Sequence, residues 1–214
     1  MCGRVWQSIT GADMRRLFSV DLPAGFAPRY NLAPTQELLL VCEDGGRQAR
    51  LARWGLIASA DQPKSLSTFN ARLETVQRSP VFREAYRTRR ALIPIQGTYE
   101  WTGEQGKRSP LAITRTDGRP MVCAGLWAEL DGQVSCTILT TAPVGVFARV
   151  HDRMPLLLPQ DRWAAWLDPE TSPAELARLT APHDLHRALH AYLVDPAVGN
   201  VRNDRAEFTR PLGV

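Results

Sequence analysis

Lysine is almost missing from this 214-residue chain: Lys64 and Lys107 stand against twenty-four arginines. Long apolar runs are missing as well. None approaches the ~18 residues that a membrane-spanning helix needs, and the start is too polar for a signal peptide. Both absences predict a cytoplasmic protein with no membrane partner. Cysteine is sparse, at four residues, and no pair has CxxC spacing. Cys42, Cys123 and Cys136 each lie in an apolar, strand-like run (LLLVC, MVCAGLW, VSCTIL). They read as buried reduced thiols, which excludes a disulfide framework. There is no repeat, no low-complexity linker and no break in composition. The length suits one domain with a full core, expected over 1–214.

What is present is mostly ordinary. Hydrophobic residues make up 44% and charged residues 22% of the chain, as in soluble globular proteins. The net charge is +4, with pI about 9.1. Arginine's planar fork suits phosphate better than lysine's ammonium does, although a GC-rich genome produces the same bias. From Arg72 to Arg90 there are six arginines against Glu74 and Glu84. Such a segment predicts a surface potential that attracts a polyanion.

Local patterns predict a strand over 4–8, then a short amphipathic helix opened by Thr10-x-x-Asp13 and carrying Met14, Leu17 and Phe18. Pro23, Gly25 and Pro28 end it, and 29–34 is extended because of its prolines. Strands over 38–42 and 48–54 join through Asp44-Gly45-Gly46, a hairpin signal. A loop follows over 55–68, and Ser79-Pro80 is expected to cap a helix to about Arg87. Strands are expected over 91–95, 98–101, 111–115, 121–127, 134–140, 151–158 and 191–194. Helices are expected over 143–150, 160–167 and 174–179. The fold class expected is α+β: a single domain on a bent, largely antiparallel sheet or barrel with short peripheral helices.

The chain begins Met1-Cys2-Gly3-Arg4. Methionine aminopeptidases remove Met1 when a small residue follows, leaving an α-amine and a thiol on one residue. With the amine titrating near ~7.7–8.0 and the thiol near ~8.5, both are partly nucleophilic at neutral pH. A 1,2-aminothiol captures an aldehyde as an imine and then closes a five-membered thiazolidine. The same thiol can instead attack an acyl carbon with its own amine as base. The plainer alternative is an incidental cysteine on a frayed end.

Nine blocks occur in order: MCGR (1–4), RYNLAPTQ (29–36), RWGLI (53–57), NARLET (70–75), SPVFREAYRTRRALIPIQGTYEW (79–101), CAGLW (123–127), CTILTTAP (136–143), HDRMPLLL (151–158) and VGNVRND (198–204). Together they resemble the SOS-response-associated peptidase family over nearly the whole length. The resemblance implies a protein that processes abasic sites, with Cys2 forming a thiazolidine with the ring-opened sugar in single-stranded DNA. It implies Asn70, Glu100 and His151 as catalytic partners. Arg4, Arg72, Trp101 and Arg153 would line the DNA groove, and Pro34 and Thr140 would shape the pocket. No metal or other cofactor is implied. The expected state is a monomer, associated with the nucleoid when engaged on DNA.

Residue chemistry agrees with these roles and leaves plainer ones open. Glu100, between Tyr99 and Trp101, is placed for desolvation, which raises a carboxyl toward neutrality; otherwise it is a strand-edge glutamate. Asn70 can orient an amine or an oxyanion, or simply make a turn. His151 can protonate the sugar oxygen, or pair structurally with Asp152. Arg72 and Arg153 suit phosphates or a solvated surface. Trp101 suits a base or the core. His183, His186 and His190 lack a completing ligand pattern and are expected to face solvent. Residues 55–61 depart from the proline- and tryptophan-bearing loop common in the family, which puts a base-stacking role there in doubt. Two other functional classes remain: an N-terminal-cysteine peptidase, whose one proteolytic act could be removal of its own Met1, and a non-covalent single-stranded-DNA binder.

Overall fold

The computed structural model describes residues 2–62, 67–104 and 107–213. Met1, and Pro63 and Lys64 of the expected 55–68 loop, lie outside the described residues. The strands are β1 Val5–Gln7, β2 Arg29–Leu32, β3 Glu37–Glu43, β4 Arg47–Trp54, β5 Asn70–Arg72, β6 Arg90–Ile95, β7 Gly97–Thr102, β8 Ser109–Arg115, β9 Met121–Leu130, β10 Gln133–Thr141, β11 Met154–Pro155 and β12 Leu189–Leu193. The helices are α1 Gly11–Phe18, α2 Arg83–Thr88, α3 Trp163–Leu167 and α4 Pro173–Leu179.

Side chains alternate across a strand, and here both faces of one set of strands are buried. Leu38, Leu40 and Cys42 of β3 pack with Ala52 and Trp54, Ala91 and Ile93, Cys123, and Cys136 and Ile138. The intervening Leu39 and Val41 pack with Leu92, Leu126 and Leu139 against the helices. The strands therefore close on themselves. β3 pairs with β4 and β6, β6 with β9, and β9 with β10, all antiparallel. β10 then runs parallel to β4 through Ser135↔Arg53 and shuts a five-stranded barrel. A second, antiparallel sheet has the order β12-β8-β7-β1-β2. The α+β class with a barrel and short helices is the one expected.

Gln7 fastens the second sheet to the barrel, and a glycine brings two strands of that sheet together. The buried Gln7 amide donates to Leu39 O (2.9 Å) and Pro94 O (2.7 Å) and accepts from Leu39 N (2.8 Å). Gly97 lies flat against the Trp6 ring, where an added Cβ would fall 1.8 Å from a ring carbon. Only glycine lets β7 approach β1 so closely.

Several local expectations are corrected. The helix expected from Ser79 starts at Arg83, because Ser79 O accepts from both Phe82 N (3.2 Å) and Arg83 N (2.9 Å) and residues 80–82 form a turn. The helix expected over 143–150 shrinks to a 3-10 turn, Phe147–Arg149, and the strand over 151–158 to Met154–Pro155. The arginine run is not one open patch. Arg90 is 1% exposed and donates to Trp166 O, Tyr86 O, Arg87 O and Asp168 O. Arg87 pairs with Glu84, and Arg89 lies over Trp127.

Candidate active site

The N-terminus reaches the site because β1 lies antiparallel to β7. Val5 faces Thr98, and Tyr99 N donates to Arg4 O at 2.8 Å. On the other flank, β5 adds to β10 in parallel, Asn70 opposite Ile138 and Arg72 opposite Thr140. Asn70 Nδ2 donates to Cys2 O at 2.7 Å, and Cys2 Sγ lies 3.5 Å from Thr98 Oγ1. Thr98 already gives its hydroxyl proton to Arg4 O (2.9 Å), so in the second contact the thiol donates and Thr98 accepts.

Cys2 is fully buried, not frayed. Burial, assisted by the charge of Glu100, pushes its thiol up to about 12. The near-ordinary thiol expected from the sequence is therefore corrected: the resting group is a thiol, because a dry site disfavours the thiolate. Glu100 is only 5% exposed, and burial pushes its carboxyl up to about 7. The carboxyl can thus give and take a proton at neutral pH. With Met1 in place the Cys2 nitrogen is an amide.

His151 is partly buried, and burial holds its imidazole below the usual value. Arg153 N donates to Nδ1 at 3.0 Å, while Asp152 Oδ1 stands 2.6 Å from the same nitrogen. These contacts require opposite protonation of Nδ1. The lowered value favours the neutral ring. A cleft of about 570 Å³ is lined by Glu100, Trp101, Arg108, Arg149, His151 and Asp152. A slightly larger cleft, about 610 Å³, is lined by Pro34, Arg53, Trp54 and Phe69 and holds no cluster of titratable groups. We place the chemistry at the first.

The structure distributes the other residues singled out in the sequence unevenly. Arg4 Nη1 donates to Asn31 Oδ1 (2.8 Å) and Val198 O (2.7 Å), and its guanidinium lies 5.3 Å from the Trp101 ring centre. Arg72 is exposed at the end of β5 and makes no ion pair among the described residues. Glu74 takes the fork of Arg153 with two 2.8 Å bonds, and Thr140 O accepts a third at 2.6 Å. Thr140 is buried and backs the site from behind, and Pro34 lines the other cleft. His183 is not solvent-facing. It caps a 3-10 turn through Nδ1, accepting from Leu185 N, and Nε2 donates to Leu157 O at 2.7 Å. No group of three metal-ligating side chains occurs among the described residues.

Thr98, Arg108 and Arg149 were missed. Thr98 was findable, two residues before Glu100 on the same strand face. The two arginines carry no motif signal. Among the described residues, six buried side-chain polar atoms have no hydrogen-bond partner. Four of them, Arg4 Nε, Asn70 Oδ1, Glu100 Oε1 and Arg153 Nε, are in or beside this site.

A family model described as SOS response associated peptidase (SRAP) matches residues 1–201. The chain belongs to the SRAP family. Its sequence is similar to that of the SRAP relative named abasic site processing protein YoaM of Bacillus subtilis, 35% identical over 222 residues covering 97% of each chain. It is similar to abasic site processing protein YedK of Escherichia coli, 31% identical over 228 residues covering 99% of this chain and all of that one. A solved structure from Bordetella bronchiseptica superposes with a TM-score of 0.78 at 26% identity, covering 91% of this SRAP chain and all of the other. One from Bacteroides thetaiotaomicron, TM-score 0.82 at 21% identity, shares the fold.

Proposed function

We propose that this protein processes abasic sites in DNA by capturing the ring-opened sugar of a single strand on Cys2, once Met1 has been removed. The observation that carries the reading is a buried Cys2 beside Asn70 Oδ1 and Glu100 Oε1, buried atoms that have no hydrogen-bond partner among the described residues. Leaving a buried polar atom unsatisfied costs about 1–3 kcal/mol, so such atoms gather where a ligand will complete them. Membership of SRAP and the names of the relatives point the same way.

The chemistry follows from the groups present. The freed Cys2 amine attacks the C1′ aldehyde to give a carbinolamine. Glu100, near 7, protonates the hydroxyl, which leaves as water and gives the protonated imine. Sγ then bonds to the same carbon, and its proton returns to the Glu100 carboxylate. One aldehyde and one aminothiol become one thiazolidine and one water. The buried thiol gives up its proton as the carbon–sulfur bond forms. Asn70 is placed to orient the amine. Arg72, Arg108 and Arg149, exposed around the mouth, would take the flanking phosphates, with Trp101 beside the lesion.

His151 is the acid for opening the sugar and for release. Burial holds its imidazole below the usual value, and a neighbouring phosphate, which favours imidazolium, would arm it on DNA. Incubation of the Met1-free protein with abasic single-stranded DNA, followed by a denaturing gel, tests the proposal. An adduct that survives denaturation is expected. His151→Ala should slow transfer of a preformed adduct to competitor DNA far more than it slows capture, between about pH 6 and 8. A complex lost on denaturation would leave only a DNA-binding module. Peptide turnover without an adduct would mark a peptidase.

A further inference from the structure

Thr98 lies on β7 opposite Val5, and its side chain and that of Cys2 are both fully buried. Its hydroxyl sits between two groups of the N-terminal segment. The single hydroxyl proton goes to Arg4 O at 2.9 Å, a carbonyl that can only accept. The oxygen's remaining capacity faces Cys2 Sγ at 3.5 Å, so the S–H is the donor in that contact. Among the described residues Thr98 is the one hydrogen-bond partner of the sulfur, which otherwise belongs to the apolar cluster of the barrel interior. Asn70 Nδ2 holds the carbonyl of the same cysteine from β5, on the other flank. Cys2 is therefore held at two points, and the side-chain point selects one of its three staggered χ1 wells.

The strand gives that point its value. Residues two apart on a strand share a face, so Thr98 and Glu100 lie side by side on β7. Cys2 in turn feels the charge of Glu100. We propose that Thr98 is a positioning residue for ring closure: by accepting the thiol's hydrogen bond it seats Cys2 Sγ on the β7 face beside Glu100, with the sulfur lone pairs turned away from Thr98 and open to the imine carbon. In the closing step a lone pair bonds to that carbon, the imine π pair returns to nitrogen, and the S–H proton passes to the Glu100 carboxylate. Thr98 gains and loses nothing in this balance; it sets where the sulfur waits. The inference rests on the proposed capture by Cys2 for its kinetic consequence, whereas the thiol contact stands without it.

Thr98→Val keeps the shape and removes the hydroxyl, and Arg4 O stays paired with Tyr99 N at 2.8 Å. The thiol is read by infrared spectroscopy of the full, Met1-free protein without DNA, as the S–H stretching band that Cys2→Ala removes. In wild type the band should lie at the lower frequency of a donating thiol, and in Thr98→Val it should move up toward that of a free one. The two chemical steps separate on a denaturing gel. Cyanoborohydride present from the start traps the imine and reports the amine's attack, whatever the ring does; without it only the closed ring survives. Thr98→Val should leave the trapped rate little changed and slow the stable adduct about tenfold, as a misplaced reacting group does. Thr98→Ser, which restores the hydroxyl, should recover both the band and the closing rate, and Thr98→Ala serves if Thr98→Val does not fold. A band that does not move, an equal loss of both gel products, or Thr98→Ser no better than Thr98→Val overturns the proposal. If wild type forms no adduct, the proposed function falls, and the band alone decides whether Thr98 holds the thiol.

Discussion

The barrel interior and the pocket at its mouth are equally dry and opposite in character. Cys42, Cys123 and Cys136 inside and Cys2 at the mouth are all fully buried, and burial raises every one of the four thiols. Exposure and pKa therefore do not separate the reactive cysteine from the inert ones. The neighbours do. Cys136 has only Ala52 O near its sulfur, at 3.9 Å, with apolar side chains around it. Cys2 has Thr98, Asn70 and a carboxyl poised near 7. A buried thiol becomes useful when a group beside it can accept the proton at the moment of bonding.

The sharpest way to break that contrast is to exchange the losses. Cys2→Ala should abolish the denaturation-stable adduct while leaving DNA binding. Cys136→Ala should cost about 1–2 kcal/mol of stability and leave the adduct at full strength. An adduct from the Cys2 variant would end the proposed chemistry. A second test stays inside the barrel: Trp54→Ala, at 0% exposure, should cost about 3–5 kcal/mol by denaturant titration, with the capture rate of the folded fraction unaltered.

The third prediction turns the mouth's dryness into a pH signature. The Glu100 carboxyl, at about 7 against an ordinary 4.5, is more easily kept protonated in the fold than out of it. That advantage is complete below pH 4.5 and is lost as pH rises through 7. Glu100→Gln should therefore gain on wild type as pH rises, by about 3 kcal/mol at pH 8, while capturing the aldehyde more slowly. Parallel stability curves for the two proteins across that range would show that the carboxyl is solvated. The smallest effect expected is at the rim. Arg72→Glu should reduce the salt slope of DNA binding by about one unit, and an unchanged slope would move the strand's path elsewhere.

The barrel strands were legible because alternation is a local signal. β3, β4, β6, β9 and β10 follow from their own residues, and Thr10 and Ser172 announce their helices by accepting from Asp13 N and Glu175 N. The closure was not legible. The parallel pairing of Ser135 with Arg53 joins segments far apart in sequence and leaves no pattern in either. The candidate site divides in the same way. Cys2, Asn70, Glu100 and His151 could be named from motifs, and the fold gathers them on one side of the barrel. The pairing of Arg153 with Glu74, 79 positions away, left no signal in either segment. Likewise, the thiol's true state depended on burial that only the fold supplies.

The order in which the chain is made gives the barrel's closure another meaning. Cys2 leaves the ribosome first, yet Thr98, Glu100, the β10 partner of β5, and His151 come 96 or more residues later. Until β10 pairs with β4 and β5, a Met1-free terminus carries an ordinary aminothiol, open to any small aldehyde in its surroundings. Strands that must wait for distant partners pair late. On the function proposed above, folding works as a safety catch: it withdraws the reagent from the solution, and a slow-closing variant would be spent by stray aldehydes before it met a lesion.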